Sequence, residues 1–62
     1  MSSMVERRDA IAAFVTSEGS VTFGLLKKTF PDVSEMTLRT ALKALDEARR
    51  IVRTHGGARS VE

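Results

Sequence analysis

No cysteine occurs among the 62 residues, and for a chain this short that is the tightest constraint on how it folds. No disulfide can staple it and no thiolate can hold a zinc ion. A chain of about 60 residues buries only ~60% of the surface that its unfolded form exposes. Packing alone must therefore hold this one, with little stability to spare. Its 42% hydrophobic and 29% charged content is a globular balance and not that of a disordered chain. A multidomain enzyme is excluded, and too few residues remain beyond a core to build a deep, water-excluding active site. No run approaches the ~20 apolar residues of a membrane span. The start, Met1-Ser2-Ser3-Met4-Val5-Glu6, lacks the apolar centre and cleavage site of a secretory signal. The expectation is one domain over 1–62, soluble and cytoplasmic, with no membrane partner.

Apolar spacing divides the chain into short elements. Ile11, Phe14 and Val15 recur at helical spacing within a stretch from Met4 to Ser17, predicting a helix over 4–17 with Arg7, Arg8 and Asp9 facing away. Gly19 suits a left-handed cap after it. Val21 can pair briefly as an extended residue, and Thr22 is a candidate N-cap for a second helix over 23–30. Phe23, Leu26 and Phe30 form that helix's apolar stripe, Lys27 and Lys28 face out, and Pro31 ends it. Ser34 is the candidate N-cap of a third helix over 35–48, with Glu35 at the positive end of its dipole.

At about 100° per residue, Leu38, Leu42 and Leu45 project to one side of that third helix. Arg39, Lys43, Met36 and Thr40 project to the other, with Thr37 on the edge. The last segment alternates differently. Ile51-Val52-Arg53-Thr54 and Ala58-Arg59-Ser60-Val61 flank His55-Gly56-Gly57, predicting a hairpin over 51–61 whose glycines permit positive φ. The predicted core is Ile11, Phe14, Val15, Val21, Phe23, Leu26, Phe30, Leu38, Leu42, Leu45 and Ile51.

Charge is distributed unevenly. The ten Lys/Arg and eight Asp/Glu give +2 overall. Residues 39–59 hold six basic groups (Arg39, Lys43, Arg49, Arg50, Arg53, Arg59) and only Asp46 and Glu47 as acids. A one-sided basic segment points to a polyanion.

Helix, helix, tight turn, polar-faced helix and hairpin make a mainly α fold with a small β-hairpin, the order of a winged helix-turn-helix. The major groove of DNA is ~12 Å wide and admits one α-helix. Side chains of the right kinds stand on the outward face of the third helix. Arg39 could read guanine bidentately or bind phosphate. Ser34 and Thr37 could bind phosphate near the helix N-terminus, although Thr37 could also bond only within the first turn. Met36 could pack on a thymine methyl or cover the core edge. Thr40 and Lys43 continue the face, and Arg7 and Arg8, near the start of the first helix, either face solvent or flank the DNA as a basic patch. A hairpin carrying Arg53, His55 and Arg59, with Gly56 and Gly57 at its tip, would lie along the backbone or an adjacent minor groove.

These residues resemble a known family. Glu6 to Ile11, Gly19-Ser20-Val21, Phe30 to Arg39, Leu42, Leu45 and Arg53-Thr54-His55-Gly56-Gly57-Ala58 together look like the DNA-binding domain of the DeoR family of bacterial transcription regulators, over residues 5–61. The resemblance implies a winged helix-turn-helix whose members repress operons of sugar and related catabolism. It also implies a larger C-terminal domain that binds a phosphorylated sugar and drives self-association. Residues 1–62 hold no such domain, so an excised DNA-binding domain is expected, with a stand-alone protein as the alternative. The implied setting is the bacterial cytoplasm, in association with the nucleoid. Two positions depart from the family pattern. Thr40-Ala41-Leu42 stands where Arg-Asp-Leu is usual, removing a cation from the reading face. Arg49 stands where glycine is usual, and a non-glycine residue in the left-handed region costs ~1 kcal/mol, so a frayed or differently capped helix end is expected.

Sequence-specific double-stranded DNA binding is thus the first reading. A winged-helix protein-interaction module without DNA binding is the alternative, and it would expose apolar anchors on the third helix. An enzyme is not expected. His55 is the sole histidine, and no Ser–His–Asp set, carboxylate pair, metal-ligand cluster or cofactor loop can be assembled around it.

Overall fold

The structure, a computed structural model, describes residues 4–61. The remainder of the expected 1–62 span, residues 1–3 and 62, lies outside the described residues. The elements run α1 (Met4–Glu18), β1 (Ser20–Thr22), α2 (Phe23–Thr29), α3 (Glu35–Glu47), β2 (Ile51–Thr54) and β3 (Gly57–Ser60). Three helices and a small antiparallel sheet make a winged helix-turn-helix. The hairpin strands do not stand alone, and Val21 does pair as an extended residue. β1 joins them, and the sheet order is β1-β3-β2. β3 is central, pairing Val21 with Ala58 on one side and Arg53 with Ala58 on the other.

Helix ends follow local chemistry. α1 runs one residue past the predicted 17 and closes at Gly19, which takes φ 84 and donates its N–H to the Val15 carbonyl at 2.9 Å. Thr22 caps α2, its hydroxyl oxygen accepting the Leu25 N–H at 3.0 Å. α2 stops at Thr29 and not at 30. Phe30 leaves the helical region (φ −119, ψ 67) because it precedes Pro31. Ser34 caps α3 by accepting the Thr37 N–H at 3.2 Å.

The end of α3 differs from expectation. The helix stops at Glu47, with Ala48 as its cap. The exit is neither frayed nor differently capped, because Arg49 itself adopts φ 61. Its N–H reaches the Asp46 carbonyl and the Arg50 N–H reaches the Leu45 carbonyl, each at 2.9 Å. That pair of bonds is a Schellman motif with arginine where glycine is preferred.

The core lies between the three helices and one face of the sheet. Ile11, Val15, Leu26, Leu38, Leu45 and Ile51 are its largest fully buried side chains, and each contributes about 1.5–3 kcal/mol by leaving water. Ala12, Ala41 and Ala58 are buried beside them, although the apolar pattern did not single them out. Phe14, Phe23 and Phe30 pack against the core from its rim and are only partly buried. Phe14 and Phe30 meet edge to face, with centroids 5.9 Å apart. Met4, at the start of α1, is exposed.

The wing turn also departs from the sequence reading. Thr54 pairs with Gly57, leaving a two-residue loop, His55-Gly56. Neither glycine of the turn enters the left-handed region, where among described residues only Gly19 and Arg49 lie. The tip is held from outside instead, since the Phe23 N–H donates to the Gly56 carbonyl at 2.7 Å. Gly57 is needed for close approach. A Cβ at that position would overlap the carbonyl of Val21 on β1.

Candidate nucleic-acid interface

α3 offers its outward face because Leu38, Ala41, Leu42 and Leu45 are drawn into the core and leave the opposite side in water. Met36, Arg39, Thr40 and Lys43 are exposed along that side, and Thr37 is half-buried at its edge. Met36 does not cover the core edge, being 78% exposed.

Two clefts flank α3. The first, about 220 Å³, separates it from the wing. Arg39, Arg53, His55, Gly56 and Gly57 all line it, with Phe23 and Leu42 at its base. Five of the residues singled out from the sequence thus converge on one concavity bearing two guanidinium groups. The second cleft, about 270 Å³, lies between α3 and the start of α1. It is lined by Met36, Thr37 and Thr40 from α3 and by Arg7 and Arg8 from α1. Arg7 and Arg8, predicted to face away, are half-buried against this cleft.

Arg39 is held in position. Its Nη2 lies 3.1 Å from Oε1 of Glu35, one turn earlier, and its Cζ sits 5.3 Å from the centroid of the Phe23 ring. Both members of the ion pair are more than half exposed. The pair therefore contributes only about 0.3–0.5 kcal/mol and leaves the guanidinium free to exchange carboxylate for phosphate. The aromatic face of Phe23 adds a cation–π contact. The Glu35–Arg39 spacing was readable in the sequence. The Phe23 contact was not, because it depends on how α2 packs against α3.

The remaining positions are less united. Ser34 donates its hydroxyl proton to Thr37 Oγ1 at 2.8 Å while accepting the Thr37 N–H, so its own donor is engaged within the helix cap. Thr37 does bond within the first turn, its hydroxyl oxygen accepting from Ser34 while its N–H donates back to the Ser34 hydroxyl oxygen. Thr40 turns its hydroxyl onto the Met36 carbonyl at 2.9 Å.

The two wing arginines part company. Arg53 is opposite the buried Ala58, on the sheet face that looks toward the helices. Arg59 is opposite Val52 and Ser20, on the other face, because successive strand residues alternate. The sequence pattern, with three residues in the turn, did not fix this division, which follows from the two-residue loop that sets Arg53 opposite Ala58.

The wing and α3 are tied at their bases. The Arg53 N–H lies 3.4 Å from Asp46 Oδ1, and Arg50 pairs with Asp9 on α1. Among the described residues no helix is long and apolar enough to cross a membrane.

A family model described as the DeoR-like helix-turn-helix domain matches residues 7–62. No curated protein and no solved structure matches the chain. With its outward-facing third helix and the cationic cleft beside the wing, this chain belongs to the DeoR-like helix-turn-helix family, a DNA-binding domain of transcription regulation.

Proposed function

We propose that the chain is the sequence-specific reading head of a bacterial transcriptional regulator, a repressor of a catabolic operon that works in the cytoplasm on the nucleoid. In this reading residues 1–62 act as one winged helix-turn-helix domain. α3 enters the major groove, with Met36, Thr37, Arg39, Thr40 and Lys43 toward the bases or flanking phosphates. Ser34 lies at the helix N-terminus, where backbone N–H groups favour a phosphate. Arg53, His55, Gly56 and Gly57 take the backbone beside the groove, and Arg59 serves a second stretch of phosphate from the opposite face of the wing. Self-association through a C-terminal effector domain would pair two heads on repeated half-sites and raise their effective concentration.

The observation that carries this reading is the exposed cationic side of α3 facing a wing cleft lined by Arg39 and Arg53. A mobility-shift titration with random-sequence duplex DNA at low and moderate salt tests it. Salt-sensitive binding is expected, and no binding at low salt overturns it.

The exposure of Met36 favours one competing reading, a protein-interaction module whose anchor is that methionine. Such a module leaves duplex DNA unbound in the same titration.

A further inference from the structure

The outward face of α3 has fewer free hydrogen-bonding groups than its residue types suggest. The Ser34 donor is spent on Thr37, and the Thr40 hydroxyl is turned back onto its own helix at the Met36 carbonyl. Arg39 leans toward the wing, between Glu35 and the Phe23 ring. At the centre of the face, in the N-terminal half that reaches base edges when such helices dock, two apolar groups remain. These are the thioether of Met36, 78% exposed, and the γ-methyl of Thr40, whose hydroxyl is already satisfied. Lys43 follows one turn later, and arginines flank both sides.

The major-groove edge of DNA presents one apolar group, the 5-methyl of thymine. We propose that α3 discriminates sequence through thymine methyl groups, with Met36 and Thr40 as the specificity-determining pair. The proposal rests on the DNA-binding reading above. The cationic flanks supply charge complementarity to the duplex, and the apolar strip supplies the choice among duplexes. Met36 and Thr40 are four residues apart, ~6 Å along the helix at 1.5 Å per residue. A base step along one strand is ~3.4 Å. The two contacted methyls therefore lie about two base steps apart.

The test begins with duplexes that the 62-residue chain selects from a random library. The leading site is resynthesised with deoxyuridine in place of thymidine, one position at a time. Each change deletes a single methyl and leaves pairing and every hydrogen-bonding atom in place. The unaltered chain is expected to lose affinity about three- to fivefold at each of two positions, the effect of one buried methyl-sized group. Met36→Ala is expected to erase the loss at one position and Thr40→Ser at the other, while Thr40→Val, which keeps the methyl, preserves it. Both residues are exposed, and a thermal melt of each variant verifies that it remains folded. A flat uridine scan on a site that is still bound in a salt-dependent way overturns methyl readout and leaves DNA binding standing. Losses that persist unchanged in Met36→Ala and Thr40→Ser likewise overturn it. If no duplex is bound at any salt, the DNA-binding reading fails, and methyl readout fails with it.

Discussion

Arg49 is a residue in the wrong chemical class for its backbone. An L-residue with a Cβ at φ 61 carries a steric cost of ~1 kcal/mol that glycine does not. The Schellman hydrogen bonds at Asp46 and Leu45 hold it there. Arg49→Gly should therefore raise stability by about 1 kcal/mol, a gain of roughly 4–8 °C in melting temperature for a domain of this size. Arg49→Ala keeps the strain and should leave the melt near its original position. A calorimetric comparison of the three proteins checks this, and an unmoved midpoint in Arg49→Gly refutes the strain account. Arg39 belongs to the same scale. It is exposed, and its carboxylate partner is a weak one. Arg39→Ala should spare the fold while weakening specific DNA binding by roughly 1–3 kcal/mol. Unchanged operator affinity in a titration of the folded variant removes Arg39 from the reading surface.

Among the elements, the wing depends most on a single residue. Gly57 begins β3, pairs with Thr22 on β1 and with Thr54 on β2, and has no room for a side chain against the Val21 backbone. Gly57→Ala must push β1 away or twist the hairpin, and either movement strains the Phe23-to-Gly56 hydrogen bond that fixes the wing tip. Overpacking of this kind costs about 1–3 kcal/mol. Urea unfolding should show that loss, whereas Gly56→Ala, where a Cβ meets open space, should cost much less. Equal effects of the two substitutions rule out the close-approach explanation. The sequence announced a tight turn here and attributed both glycines to backbone conformation and to close approach of the main chain to DNA. Only strand order reveals that the second is required by a neighbour.

At the scale of the whole molecule, net charge of +2 conceals how the cations are placed. Arg39 and Arg53 both line the wing cleft, Lys43 is exposed farther along α3, and Arg7 and Arg8 border the cleft at the start of α1. If Arg39, Lys43, Arg53 and Arg59 each neutralise one phosphate, the logarithm of the binding constant should fall against that of salt concentration with a slope of about −3.6. Arg53→Ala should reduce that slope by roughly one unit, uniformly across DNA sequences. A slope near zero in the native protein means that phosphates contribute little to its binding.

The sequence alone determined the local structure. Thr22 and Ser34 as caps, Pro31 as a breaker, Gly19 as a left-handed exit and the Leu38/Leu42/Leu45 stripe act over a few residues, and neighbours in sequence suffice to specify them. The outward face of α3 follows from the same periodicity. Tertiary structure decided whatever requires two distant elements to meet. It enlisted β1 into the sheet, set Arg53 and Arg59 on opposite faces, stacked Arg39 on Phe23 and brought Arg7 and Arg8 beside α3. It also made Ala12, Ala41 and Ala58 core residues, since a small side chain is buried wherever backbones approach closely and carries little apolar signal of its own. Side-chain periodicity tells which face of an element turns inward, while the partner across that face is set by packing.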